Sequence, residues 1–293
     1  REEGRRAALG VIKDEVARNT EEVPLYSILA WLFMEGKQYE AALEQYRIID
    51  RLTKANGSEL FQFGQRATQE HAYLASAKAF REVVDGKAAA NIVPIARFGY
   101  ARAIEELSVE NDTIARAPDQ LSSGVGRGST VSETQPTFQG ALALYESLIV
   151  DHPNTETAMQ ALFRIGTIRF TRFFDLSGAA AAFDNVRTMP FSSNLMYEAA
   201  LSLAEVQTAR NDLGRTRGEY DRLLKGSPEQ YRDRVLFRLA ELNYFEAKFD
   251  SASAVLQRIS SNATNDLTND ALQLLYFIQE NKDRSIFRKN IGR

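Results

Sequence analysis

Apolar residues along this 293-residue chain recur with a helical period, and the helical stretches themselves recur. A large apolar residue followed by a small one appears at Leu29-Ala30, Phe63-Gly64, Phe98-Gly99, Ile165-Gly166, Leu203-Ala204 and Leu239-Ala240. Ala30, Gly64 and Gly99 stand 34 and 35 residues apart, and Ala204 and Ala240 stand 36 apart. Downstream of each pair, a second series sets a small residue four positions before a large one: Ala42/Tyr46, Ser76/Phe80, Ala141/Tyr145, Ala179/Phe183, Thr216/Tyr220 and Ala252/Leu256. A spacing of four puts both on one helical face, where the small residue admits a neighbouring helix and the large one fills the gap. Polar breaks such as residues 35–39, 210–214 and 246–250 separate the two series, and loops carrying Pro153, Pro190 or Pro228 close the second.

The pattern therefore predicts a chain of helical hairpins, best formed between Ala141 and Phe170. A lone hairpin cannot bury both its faces, so each stacks on the next and the core becomes continuous. The double series resembles the tetratricopeptide repeat, whose pattern is a bulky residue, Leu-Gly, an aromatic, then Ala-x-x-x-Phe and a closing Pro. That resemblance implies an all-α, right-handed superhelical solenoid of antiparallel helix pairs. Six repeats are expected over 23–266. Residues 1–22 are expected to form the helix of a truncated preceding repeat or an N-terminal cap, and 267–293 the helix of a truncated or capping repeat. One departure recurs. The aromatic expected three residues after the small one is present only as Phe33, and the site is otherwise Ala67, Arg102, Arg169, Gln207 and Asn243.

In this family the first helix of each hairpin lines the concave face. Carried onto this sequence, the resemblance places Ser27, Trp31, Phe61, Gln65, Ala96, Tyr100, Phe163, Thr167, Leu201, Glu205, Phe237 and Glu241 there, with Phe170 and Tyr244 three or four residues further along. Trp31, Phe61, Gln65, Tyr100, Phe170, Glu205, Glu241 and Tyr244 are the candidate partner-binding residues. An exposed aromatic stripe of this kind suits an extended peptide or an amphipathic helix. Phe163 and Phe237 are expected to pack inward instead, whereas the polar tips of Trp31, Tyr100 and Tyr244 favour water or a partner. The cationic clamp that chaperone adaptors of the family use for acidic C-terminal tails has no counterpart at these positions.

The third repeat breaks the rhythm. Gly99 and Ala141 are 42 residues apart where about a dozen are expected, which predicts an insertion at about 108–136, rich in Gly, Ser and Thr. Such a segment cannot bury enough apolar area to fold alone. It reads either as a tolerated surface loop or as a docking loop with Ile114, Arg116, Val125 and Arg127 as contacts, the second being favoured.

Composition narrows the function. The chain is 44% hydrophobic and 26% charged with a formal charge of −3, giving a packed core but no basic footprint for nucleic acid and no polybasic membrane patch. No apolar run is long enough to cross a bilayer. Cysteine is absent, which excludes disulfides and thiolate chemistry, and two histidines leave little for imidazole metal sites. The Gly124–Ser129 stretch lacks the Lys-Ser/Thr ending of a phosphate loop. His71 and His152 sit at helix boundaries without ligand partners at helical spacing. The oxygen-rich 262–270 segment lacks the glycine and closing glutamate of a calcium loop and reads as a linker in which Thr268 or Asn269 caps the last helix.

No catalytic residue, cofactor, metal or small-molecule substrate is expected. The reading is a non-catalytic scaffold or assembly subunit with protein partners, possessing no membrane-inserted segment. Two alternatives stand beside it. One is the helical domain of a larger enzyme or sensor. The other is an RNA-binding helical repeat, which Gln65, Glu205 and Glu241 argue against. The Tyr145–Phe170 segment resembles repeats of bacterial outer-membrane assembly lipoproteins (BamD-like) and of periplasmic Tol-associated coordinator proteins. It implies a periplasmic or cell-envelope adaptor, with the cytoplasm as the alternative. The chain opens on Arg1 rather than Met, so any signal peptide has been removed or was never included, and the N-terminus does not give the localisation.

Overall fold

The computed structural model describes residues 2–116, 136–191, 194–261 and 266–291. Among these, all regular structure is helical. Helix α1 (Glu2–Arg18) precedes six pairs, the first two being α2 (Val23–Glu35) with α3 (Tyr39–Thr53) and α4 (Ser58–Gln69) with α5 (Tyr73–Asp85). Next come α6 (Val93–Arg116) with α7 (Phe138–Asp151) and α8 (Glu156–Thr171) with α9 (Leu176–Thr188). The last pairs are α10 (Asn194–Ala209) with α11 (Leu213–Gly226) and α12 (Arg232–Phe245) with α13 (Phe249–Ser260), followed by α14 (Thr268–Ile291). The chain divides into two compact units, Arg1–Ala161 and Leu162–Arg293, with the boundary inside α8.

The two periodic series become the core. Ala42, Ser76, Ala141, Ala179, Thr216 and Ala252, the small members of the second series, are all 0% exposed. Their large partners Phe80, Tyr145, Phe183, Tyr220 and Leu256 are buried, and Tyr46 is half-buried. The small residues of the first series make room for those rings. A Cβ at Gly64 would lie 2.9 Å from Phe80, one at Gly99 2.6 Å from the same ring, and one at Gly166 2.6 Å from Phe183. Phe80 is thus gripped between the first helix of its own hairpin and that of the next, and burying such a ring stabilises by about 1.5–3 kcal/mol.

Four of the hairpin turns follow one design. Lys37, His71, Asn211 and Ala247 each adopt a positive φ of 53–60°. The next residue then donates its N–H back to the carbonyl five positions earlier: Gln38 to Phe33, Ala72 to Ala67, Asp212 to Gln207 and Lys248 to Asn243, at 2.8–2.9 Å. These bonds satisfy carbonyls that the helix end would leave open. Buried hydroxyls reinforce two hairpins at equivalent places. Ser76 Oγ donates to the Gly64 carbonyl at 3.0 Å and meets Thr68 Oγ1 at 2.7 Å, while Thr208 Oγ1 donates to Thr216 Oγ1 at 3.3 Å. Pro153, Pro190 and Pro228 each stand two residues beyond a second helix, where a residue without an N–H stops it.

Two boundaries differ from expectation. Helix α6 continues through Arg116, so residues 108–116 of the expected insertion are helical. Ser108 is buried there and its hydroxyl donates to the Ile104 carbonyl at 2.7 Å, which anchors the extension. Thr268 is the first residue of α14 rather than its cap, because the Leu267 carbonyl already accepts the first helical bond, from Ala271.

Candidate functional site

The candidate groove residues fall in both units. In the first unit, the outward stripe of α2 carries Ser27, Ile28, Trp31 and Glu35, and that of α4 carries Gln62, Gln65 and Gln69. Trp31 is 52% exposed, high for so large an apolar side chain. It lines a cleft of about 580 Å³ together with Leu32 and Glu35 of α2 and Arg5 and Ala8 of α1. Helix α1 is fixed as the opposite wall: Arg5 Nη1 donates to the Glu35 carbonyl at 3.0 Å and the Lys13 ammonium lies 5.4 Å from the Phe33 ring centre. Gln65 is exposed one helix pair further along. Phe61 and Tyr100 are only half-buried, and both pack on the core around Phe63 and Phe80. The Phe61 ring meets that of Phe80 edge-on at 5.9 Å. Ala96, at a concave position of the family pattern, is fully buried.

In the second unit, the acids of the pattern are neutralised. Arg238 Nη2 is 2.7 Å from Glu205 and its Nη1 is 2.8 Å from Glu241, so one guanidinium joins the two predicted site residues. Burial pulls the Arg238 pKa down, but Glu241 and Glu205 outweigh it and hold it above the usual value. Burial, with Glu205 beside it, pushes the Tyr220 hydroxyl up. Glu198 and Arg234 form a parallel pair at 2.7 Å. Tyr244 is half-buried and its hydroxyl accepts from Asn281 Nδ2 at 2.9 Å, so its polar tip is taken by α14. Phe170 is half-buried. Phe237 is buried among Ala240, Ala252 and Leu256, and the Phe163 ring packs 5.5 Å from Phe183, both turned inward rather than into a groove. Leu201 is also buried.

Arg5 and Arg238 were not on the candidate list. Arg238 has a legible signal, Glu241 three residues on, whereas its bond to Glu205 depends on stacking of successive hairpins. Arg5 has none, because only tertiary packing carries α1 to the end of α2. Ile114 and Arg116 fall in the last turn of α6 and their side chains lie outside the described residues, as do Val125 and Arg127 altogether. His71 occupies a left-handed turn position with Nδ1 2.7 Å from Tyr73 Oη, and the His152 N–H closes α7 on Leu148 O. Among the described residues no cluster of three metal-ligating side chains occurs, and no helix is long and apolar enough to cross a membrane.

The fold is that of tetratricopeptide-repeat proteins. The chain is similar to the C-terminal part of a TPR repeat-containing protein from Cytophaga hutchinsonii (15% identity, TM-score 0.54), covering 92% of this chain and 95% of that one. It is also similar to PilF of Pseudomonas aeruginosa (11% identity, TM-score 0.51, 88% and 99% covered). A third likeness is to human IFIT1, solved as a dimer with PPP-AAAA (13% identity, TM-score 0.54, 96% and 60% covered). No protein-family model and no curated protein matches the sequence.

Proposed function

We propose that this chain is a non-catalytic protein-interaction scaffold or assembly subunit that engages a peptide, helix or partner protein on its first-helix faces. The observation that carries the reading is Trp31. It is a large aromatic, 52% exposed, set beside a cleft of about 580 Å³ and flanked by Arg5 and Glu35. Tryptophan with a neighbouring arginine is the composition of an interface hot spot, because it offers large contact area at low entropic cost. The polar, uncharged Gln65 and the half-buried Phe61 and Tyr100 extend that surface in the first unit. Phe170, Glu205, Glu241 and Tyr244 form the corresponding surface of the second.

The setting we infer is the bacterial periplasm or cell envelope, supported by the likeness of residues 145–170 to envelope repeat proteins. The test is cross-linking and mass spectrometry on native envelope extracts with the wild-type chain, Trp31→Ala, and Val150→Ala as an exposed control. A partner retained by wild type and by Val150→Ala but lost from Trp31→Ala, with helicity unchanged, is the expected result. Equal retention by all three sinks the Trp31 site.

A further inference from the structure

The junction between the first two hairpins rests on a dipeptide whose conformational use and chemical stability conflict. Asparagine is followed directly by glycine at one place in the chain, Asn56-Gly57. Both residues are left-handed, with φ of 50° and 85°, and the Ser58 N–H donates across them to the Ala55 carbonyl at 3.1 Å. Two successive positive φ values define a tight turn for which Asn-Gly is a preferred pair. The turn ends the passage from α3 and opens α4 at Ser58. The same pair is readily deamidated in water. Asparagine is a labile residue, and glycine sets no side chain in the way of its own backbone nitrogen. Asn56 is exposed, so solvent reaches its amide.

One group stands against that chemistry. Asp50, in the last turn of α3, folds back over the junction. Its Oδ2 accepts from the Gly57 N–H at 2.9 Å and its Oδ1 from the Glu59 N–H at 3.1 Å. Gly57 is the N-cap of α4 and has no side chain to close the helix, so Asp50 caps it from seven residues upstream. The Gly57 nitrogen is also the atom that must attack the Asn56 amide, and it can do so only after losing its proton. A carboxylate hydrogen-bonded to that N–H opposes the step twice. The bond has to break first, and the nitrogen anion would form beside a like charge.

We propose that Asn56 is a deamidation site held in check by Asp50. The Gly57 nitrogen gives up its proton and bonds to Asn56 Cγ. The Cγ–Nδ2 bond then breaks, and the departing amine takes up a proton and leaves as ammonia. Solvent water opens the resulting succinimide ring at either carbonyl, which leaves aspartate or isoaspartate at position 56. Isoaspartate runs the backbone through one extra methylene, so it lengthens the Ala55–Ser58 turn from which α4 starts.

The experiment is incubation of the full chain at mildly alkaline pH, folded and in urea, with conversion at Asn56 followed by peptide mapping and mass spectrometry. The folded chain should convert more slowly than the unfolded one, on the order of tenfold or more. Asp50→Ala, shown to be folded by circular dichroism, should convert on the order of tenfold faster than folded wild type. Asp50→Asn keeps an acceptor oxygen without the charge and should fall between them, and it carries the comparison if Asp50→Ala does not fold. Equal rates in the folded and unfolded wild-type chain overturn the proposal, as does no conversion in urea. It also falls if the folded Asp50 variants convert at the wild-type rate, or more slowly, as they would if the carboxylate acted as a base.

Discussion

In the first unit, Phe80 is held between Gly64 and Gly99, and the absence of two side chains is what lets one ring join three helices. In the last two hairpins of the second unit the small residues are Ala204 and Ala240, facing Tyr220 and Leu256, and polar side chains take a larger share. Tyr220 lies beside Glu205, Arg238 and Glu241, and Arg217 Nη2 reaches both Asn243 Oδ1 at 2.7 Å and Glu246 at 2.5 Å. A glycine admits a ring edge to within van der Waals contact of the backbone. An alanine keeps it about one methyl further away, and longer hydrogen-bonding side chains bridge the difference. One repeat pattern therefore yields an apolar wedge in one place and a polar network in the other.

The comparison can be broken most severely at the wedge. Phe80→Ala should cost about 3–5 kcal/mol, read from the urea midpoint, because it empties space shared by two hairpins. Gly99→Ala should cost about 1–3 kcal/mol through overpacking, and Phe80→Leu added to it should recover part of that loss. Failure of the double variant to recover would mean the glycine serves the backbone rather than the ring.

The polar side of the comparison is sharpened by pH. The raised Tyr220 pKa means the fold favours the neutral phenol, so its contribution is full below the ordinary value of 10.0. It is lost as pH rises above that value, at about 1.4 kcal/mol per pH unit for one proton, and Tyr220→Phe should flatten the alkaline limb of a stability profile. Glu246 has the opposite sign. Lys248 and Arg217 hold its pKa below the ordinary 4.5, so its contribution is complete above that value and disappears as pH falls through the depressed one. Glu246→Gln should shift the acid limb of unfolding monitored by circular dichroism.

The smallest effect concerns the turns that both regions share. Ala247 has a φ of 58°, a conformation glycine adopts without penalty. Ala247→Gly should raise stability by about 0.5–1 kcal/mol, a rise in melting temperature. Asn211→Gly should gain less, since asparagine tolerates that region better.

Much of the core was legible at the outset. Ser76 and Thr216 were placed inside by spacing alone, against their polarity, and both are fully buried with their hydroxyls bonded to neighbouring side chains or backbone. The site was legible only in part. Tyr100 and Trp31 occupy equivalent positions, yet one packs on the Phe80 core while the other is 52% exposed beside the first turns of α1. Glu205 and Glu241 read as an acidic surface, but Arg238 sits between them.

What the sequence determined by itself was periodic: where each helix runs, which face is apolar, and which positions must stay small. Those properties depend on residues a few places apart, whose relative positions the helix geometry sets. Tertiary structure decided the rest, including the α1 wall beside Trp31 and the arginine between two acids. Each arises from side chains brought together by stacking, and a distance of thirty or more residues along the chain carries no fixed distance in space until the hairpins pack.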